Sequence, residues 1–133
     1  MNTRRKVSKL LALATLCAPL ALMAQAFPSK PITLVVPVPP GGLVDTSARL
    51  ISEPFGRLIG QSVVIDNKGG ASGNLAYQQV ARSPKDGHTL LVSYSGYHIA
   101  NPILMSKLPW ELKDLTPVGL ITVATNVVAV HPS

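Results

Sequence analysis

Three short segments of the sequence carry the residue types that bind small anions through hydrogen bonds. The first holds Gly41, Gly42 and Asp45, the second holds Gly70, Ser72, Gly73 and Asn74, and the third holds Ser93, Ser95 and His98. Glycines leave backbone N–H groups open, and serine, asparagine and histidine side chains add further donors. Where such a segment leads into a helix, the helix N-terminus favours negative charge, so the chemistry indicated is the binding of a carboxylate.

Each of these candidates also has a purely structural explanation. Gly41 and Gly42 either let a ligand approach the backbone closely or only supply a positive φ to a turn. Asp45 either contacts a ligand or caps the next helix, and its place just inside the N-terminus of that helix favours the capping role. The segment 70–74 either cradles an anion or only caps a helix, and a lone histidine such as His98 more commonly packs than binds.

Catalytic and metal-binding chemistry find no support in the spacing of the residues. Ser95 does not lie in a GxSxG elbow, and the three histidines at 88, 98 and 131 show no HExxH or other ligand spacing. The phosphate-binding patterns GxxxxGK and GxGxxG are also missing from the sequence. The single cysteine, Cys17, lies near the N-terminus. We therefore predict a protein that is not an enzyme and that needs neither a cofactor nor a metal ion.

Strand-like and helix-like segments alternate along the chain. Short apolar, β-branched runs predict five strands, at 32–36, 63–65, 88–93, 118–123 and 126–130. Amphipathic spacing predicts three helices, at 44–59, 72–82 and 99–105, with Ser72 or Asn74 as the N-cap of the second and Gly60 ending the first. This alternation predicts an α/β fold with a mostly parallel sheet and flanking helices.

A parallel sheet would gather the candidate residues in one place. Ligands of open α/β sheets bind beyond the carboxyl ends of the strands. The predicted loops at this edge span residues 37–45, 66–74 and 93–101, and each precedes a helix. The three candidate segments are therefore expected to meet at one edge.

The N-terminus has the pattern of a secretory signal. Basic residues between Arg4 and Lys9 precede an uncharged run from Leu10 to Met23, and Ala24-Gln25-Ala26 then supplies a small-residue cleavage site. The uncharged run is 14 residues long, shorter than the roughly 20 that a membrane-spanning helix needs. We predict a signal peptide at 1–26, cleavage after Ala26, and a periplasmic product with no stable membrane insertion. The arginine pair at 4–5 leaves a twin-arginine route open beside ordinary export.

The charge of the mature part excludes one class of partner. The whole chain has a formal net charge of +6, but four of its twelve basic residues precede Phe27, which leaves eight basic residues against six acidic ones. No basic run survives in residues 27–133, so binding to nucleic acid is not expected.

Several sequence motifs resemble the Bug family, the solute-binding components of tripartite tricarboxylate transporters. The motifs are VPVPPGGLVD at 36–45, NKGGASGN at 67–74, DGHTLL at 86–91 and HIANP at 98–102. The resemblance extends over essentially all of residues 27–133. It implies a type II flytrap of two α/β lobes, a small carboxylate or related metabolite as the ligand, and a membrane permease as the partner.

The same resemblance predicts that the chain is incomplete. Residues 27–133 would form part of the first lobe, without the second lobe and without the segment that returns to complete the first. Leu43 and Val44 stand where many relatives carry serine or threonine, and Lys68-Gly69 replaces a common Arg-Pro pair. The alternative interpretation is therefore a truncated remnant that is non-functional or serves only as an interaction module.

Overall fold

A computed structural model describes residues 27–125, 127, 129 and 130, so the predicted signal peptide at 1–26 lies outside the described residues. The strands are β1 (Ile32–Val36), β2 (Val63–Asn67) and β3 (Thr89–Leu91), and the α-helices are α1 (Leu43–Ile59), α2 (Asn74–Arg82) and α3 (Ser95–Leu104). Two single-turn 3-10 helices cover Ala71–Gly73 and Leu112–Asp114. None of the described helices is both long enough and apolar enough to cross a membrane.

The three strands form one parallel sheet in the order β2-β1-β3. Leu34, at the middle of the central strand, pairs with Ile65 on one side and with Leu90 on the other. Each crossover between parallel strands passes through a helix, as a parallel connection requires. The predicted α/β architecture with a parallel sheet and flanking helices is confirmed in the described part of the chain.

The core lies between the sheet and α1. Ile32, Leu34, Val36, Ala48 and Val92 are buried in it, and one face of α1 packs against them with the side chains of Val44, Ile51, Phe55 and Ile59. These α1 residues recur at helical spacing, which is why the sequence pattern located the helix to within one residue. The predicted stop at Gly60 is also confirmed, since Gly60 adopts the left-handed conformation with φ 70°.

The starts of two helices differ from the prediction. The N-cap of α2 is Gly73, with no side-chain capping bond, so the prediction of Ser72 or Asn74 was wrong. The Asn74 side chain instead bonds to residues of distant segments, which removes it from the helix end. Helix α3 begins at Ser95 rather than near Ile99, because the Tyr94 carbonyl accepts the first helical N–H bonds from Tyr97 and His98.

The predicted strand at 118–123 is wrong, because this segment has no strand assignment in the structure. Val118, Leu120 and Val123 are each more than 80% exposed. A β-branched run becomes a strand only where a neighbour supplies ladder hydrogen bonds, and the described residues provide no such neighbour here. The predicted strand at 126–130 includes residues 126 and 128, which lie outside the described residues, and its remaining positions are not in a strand.

A cluster of charged and polar residues stabilises the N-terminal end of β1, at the edge of the sheet where the strands begin. The Lys30 Nζ atom lies 2.9 Å from Asp86 Oδ2, and the Ser29 N–H donates to His88 Nε2 at 3.3 Å. Asp86 Oδ1 also accepts the His88 N–H at 3.0 Å, and the Phe27 ring packs edge-on against the His88 ring with centroids 5.0 Å apart. The Lys30 ammonium, followed by the His88 N–H, lowers the pKa of Asp86 to about 2.

We expect this cluster to make stability fall in acid. The pKa of Asp86 is lower in the folded chain than the ordinary value of 3.8, so its contribution is complete above that value and is lost as the pH falls toward 2. Thermal unfolding of Asp86→Asn should give a lower Tm at neutral pH and a shallower decline of Tm over this interval. An unchanged decline in the variant would contradict the assignment.

Candidate functional site

The three candidate segments lie on connections that leave the carboxyl ends of β1, β2 and β3, as predicted, and neighbouring connections are in contact. Between the first two, the Lys68 N–H donates to the Val36 carbonyl at 2.8 Å, and a Cβ added at Gly69 would stand 3.1 Å from Pro39. Between the second and third, Gly73 lies directly beneath the Tyr97 ring. The structure therefore brings all three segments to one edge of the sheet.

The two glycines of the first segment differ in conformation. Gly41 has a φ of 91°, which favours glycine for conformational reasons alone. Gly42 is the N-cap of α1 with a φ of −79°, a conformation open to other residues. A Cβ at Gly42 would meet only Val38 and Pro39 at ordinary distances of 3.8 and 3.9 Å. The positive φ alone accounts for a glycine at position 41. Gly42 is instead an exposed residue at the start of the 17-residue helix α1.

Asp45 lies in the first turn of α1 and is 2% exposed. Its Oδ2 atom accepts the Gly41 N–H at 2.8 Å and the Arg49 Nε–H at 2.9 Å, while its Oδ1 atom accepts from the Asn67 amide at 2.9 Å. The N-cap position itself belongs to Gly42. The three donors of the Asp45 carboxylate come from other surroundings, and no side-chain bond caps α1, so the prediction that Asp45 caps this helix was wrong.

The donors around Asp45 keep it charged. The Arg49 guanidinium, followed by the Gly41 N–H and the Asn67 amide, holds the pKa of Asp45 well below its usual range, although burial acts in the opposite direction. Asn67 also donates to the Val38 carbonyl at 3.1 Å and accepts from Arg49 at 3.1 Å. One closed network thus connects the first segment, α1 and the end of β2.

The second segment has an unusual backbone. Gly70 and Gly73 have φ values of 112° and 78°, and Ser72, which is not a glycine, has a φ of 52°. A Cβ at Gly73 would collide with the Tyr97 ring, so glycine is required there by contact as well as by conformation. The Ser72 carbonyl accepts from the Asn101 amide at 2.8 Å, which holds the strained turn against α3.

Asn74 is the centre of a buried polar network. Its Oδ1 atom accepts from Trp110 Nε1 at 2.8 Å and from the Asn101 amide at 3.2 Å, and its Nδ2 atom lies 3.2 Å from Met105 Sδ. Asn74, Asn101 and Trp110 are all at least 95% buried. The side chain of Asn74 therefore braces the loop through internal contacts.

The third segment rests on two aromatic rings. Tyr77 of α2 is fully buried and stacks on Trp110 with ring centroids 4.6 Å apart. The Ser93 Oγ atom lies 2.9 Å from the Tyr77 hydroxyl oxygen, and the His98 ring stacks on Trp110 at a centroid distance of 6.1 Å. Ser93 and Ser95 are exposed, whereas His98 is half-buried with a buried Nδ1 atom that has no hydrogen-bond partner among the described residues.

Sequence reasoning missed the residues that support the candidates. Arg49, Asn67, Tyr77, Asn101 and Trp110 each bond to or stack on a predicted site residue. Arg49 lies only four positions from Asp45, but the other partners lie up to 36 positions apart along the chain, and local spacing does not reveal such pairs. Asn101 lies within the HIANP motif and the predicted loop 93–101, but it was not predicted as a site residue.

Arg49 and Lys68, two exposed cations at this edge, each lie beside a carboxylate. Arg49 is paired with Asp45, and Lys68 Nζ lies 3.7 Å from Asp66 Oδ1. Within residues 27–125, 127, 129 and 130, no cluster of three or more histidine, cysteine, aspartate or glutamate residues could hold a metal ion. The arrangement suits an anion held by N–H and hydroxyl groups.

Known proteins resemble this chain over most of its length. The family described as tripartite tricarboxylate transporter family receptor matches residues 47–133. The UPF0065 protein in the tcbD-tcbE intergenic region of Pseudomonas sp. is 41% identical over 129 residues, which are 96% of this chain and 38% of that protein. Protein BugT of Bordetella pertussis is 36% identical over 92% of this chain and 37% of its own length. The chain thus spans less than two fifths of these relatives.

Solved structures share the fold. MatC from Rhodopseudomonas palustris with bound malate superimposes with a TM-score of 0.68 at 44% identity, over 71% of this chain and 33% of MatC. A second R. palustris protein, with adipate, gives a TM-score of 0.62 at 39% identity, over 65% of this chain and 29% of that protein. These similarities confirm the predicted periplasmic-binding-protein-like fold, of which the chain covers only part.

The Asp45 network gives a test of what holds the edge together. We expect Asp45→Asn to lower the Tm strongly, because an amide cannot accept from all three donors and would place its own N–H₂ against them. Glu53→Gln is the matched control, since Glu53 lies on the same helix in an exposed pair with Arg57 at 3.4 Å. Thermal melts should show a much larger fall in Tm for Asp45→Asn than for Glu53→Gln. Equal changes in Tm would contradict the proposed importance of Asp45.

Proposed function

Because the chain belongs to the tripartite tricarboxylate transporter receptor family, we propose that it is a solute-binding component that captures a small carboxylate outside the cytoplasm. The observation that carries this proposal is the meeting of three donor-rich loops at the carboxyl edge of one parallel sheet. The chain would present the ligand to a membrane permease, without catalysis and without a cofactor or metal ion.

The ligand class is supported by the site and by the relatives. Exposed backbone at Gly42, together with the exposed hydroxyls of Ser93 and Ser95, offers uncharged donors, which suit a carboxylate oxygen. Related structures from R. palustris contain malate and adipate. We therefore propose a carboxylate of about four to six carbons as the ligand, in keeping with the size of these two molecules.

Under this proposal, the candidate site residues fall into a group that shapes the edge and a group that contacts the ligand. Gly41, Asp45, Gly70, Gly73 and Asn74 shape the binding edge through conformation and internal hydrogen bonds. Direct contact with the ligand would fall to exposed or half-buried groups, which are Gly42, Ser72, Ser93, Ser95 and His98.

Ligand capture would follow the flytrap principle. Residues 27–133 would form part of the first lobe, and contacts from a second lobe would stabilise the closed, ligand-bound form. An open edge alone leaves much of a ligand in water, whereas binding pockets usually bury most of it. Affinity measured on this chain is accordingly expected to be weak.

The proposed location has a direct test. We expect the chain, expressed in a Gram-negative host, to be recovered from the periplasm with a mass that corresponds to residues 27–133. Cleavage after Ala26 follows from the small residues at 24 and 26. Recovery of the uncleaved chain in the membrane or the cytoplasm would contradict both the signal peptide and the location.

The proposed ligand class can be tested with a variant that leaves the fold intact. Malate and adipate should raise the Tm of the exported chain, and their neutral dimethyl esters should not. Gly42→Ala should lower the Tm of the free protein only slightly, because its methyl group meets no atom closer than 3.8 Å although alanine is a poorer N-cap than glycine. It should weaken binding by crowding the exposed backbone.

Gly119→Ala serves as the matched control, since a Cβ there meets nothing within 4 Å and lies outside the three loops. Its affinity for both carboxylates, measured by calorimetry, should equal that of the unchanged chain. Absence of binding by the unchanged chain would favour the alternative of an interaction-only remnant, and equal affinity in Gly42→Ala would remove Gly42 from the site.

A further inference from the structure

The hydroxyl of Tyr77 has three possible hydrogen-bond partners at the carboxyl edge. It lies 2.9 Å from Ser93 Oγ, 3.2 Å from the Tyr94 carbonyl oxygen and 3.2 Å from the Tyr94 backbone nitrogen. The Tyr94 N–H is a donor, so the Tyr77 oxygen accepts from it. The single proton of Tyr77 is then available either to Ser93 or to the Tyr94 carbonyl.

The Tyr94 carbonyl oxygen already has two other hydrogen-bond donors. It already accepts the Tyr97 N–H at 3.0 Å and the His98 N–H at 2.9 Å, and a carbonyl oxygen has two lone pairs. The 3.2 Å separation from Tyr77 is also longer than the usual O–H···O range of about 2.5 to 3.0 Å, whereas the 2.9 Å separation from Ser93 falls within it. Both arguments direct the Tyr77 proton to Ser93.

This direction determines what Ser93 can offer. If Ser93 Oγ accepts from Tyr77, its own proton is free to be donated, and Ser93 is exposed at the edge of the sheet. We propose that Tyr77 is a positioning residue that orients the Ser93 hydroxyl as a hydrogen-bond donor toward a carboxylate bound at this edge. The proposal rests on the function proposed above and assigns Tyr77 a role in recognition, exerted through Ser93.

The surroundings of Tyr77 suit a fixed donor. Its ring is fully buried and stacks on Trp110 with centroids 4.6 Å apart, which fixes the position of the oxygen atom. Burial raises the pKa of Tyr77, so the hydroxyl keeps its proton throughout the neutral range. A phenylalanine at this position retains the stacking and removes only the hydroxyl, which separates the positioning role from a packing role.

The test is a double-mutant cycle on the exported chain with malate and adipate as probes. Loss of one hydrogen bond to a charged group corresponds to roughly a tenfold weaker affinity. Tyr77→Phe and Ser93→Ala should each weaken binding by about this factor, and the double variant should be no weaker than Ser93→Ala alone. Affinity unchanged in Tyr77→Phe, or effects of the two substitutions that multiply, would overturn the proposal.

A control and a second measurement separate this proposal from the proposed function. Ser83→Ala removes another hydroxyl bond of α2, from Ser83 Oγ to the Gln79 carbonyl at 2.8 Å, and should leave affinity unchanged. Amide hydrogen exchange needs no ligand: in Tyr77→Phe the Tyr94 amide should exchange faster, because it loses its acceptor. If the unchanged chain binds no carboxylate, the proposed function fails, and unaltered Tyr94 exchange would then overturn the placement of Tyr77 as well.

Discussion

Asp45 brings three separate parts of the chain to one buried carboxylate. Donors arrive from the turn at Gly41, from Arg49 one helical turn onward, and from Asn67 at the end of a neighbouring strand. Burying a charge is costly unless hydrogen bonds replace the lost water, and here three donors do so. The exit from the central strand, the start of α1 and the second loop therefore take their relative positions from a single ionised group.

The second and third loops depend on a different kind of contact. Tyr77 and Trp110 form a stacked pair. Asn74 accepts a hydrogen bond from Trp110, Ser93 bonds to the Tyr77 hydroxyl, and the His98 ring packs near both rings. The first loop is therefore held mainly by charge, and the other two by aromatic packing with polar groups at its margin. The ionised groups of the edge take part in internal ion pairs, and the side chains of Arg49 and Lys68 remain partly exposed there.

Local patterns in the sequence were sufficient for the central elements. The β-branched run at 32–36 and the helical spacing that ends at Gly60 reflect burial and backbone conformation, which nearby residues determine. The same reasoning failed at 118–123, where strand propensity is high and no partner strand is present among the described residues. It also failed to find Tyr77 and Trp110, because their importance comes from partners distant in sequence. For the candidate site, residue types predicted that the three segments meet at one edge, and the structure brings them together there. Which side chains brace a loop and which remain open depends on contacts between distant residues that local patterns do not reveal.

The order of strands in the sheet has a consequence for how early the chain can fold. The central strand comes first in the sequence, and its two partners end at Asn67 and Leu91. Ser29 and Lys30 likewise find their partners 59 and 56 positions later. Contacts between residues so distant can close only after the intervening chain is available. A chain of this topology cannot complete the described sheet until Leu91 is available, so β1 stays without its second partner strand until then.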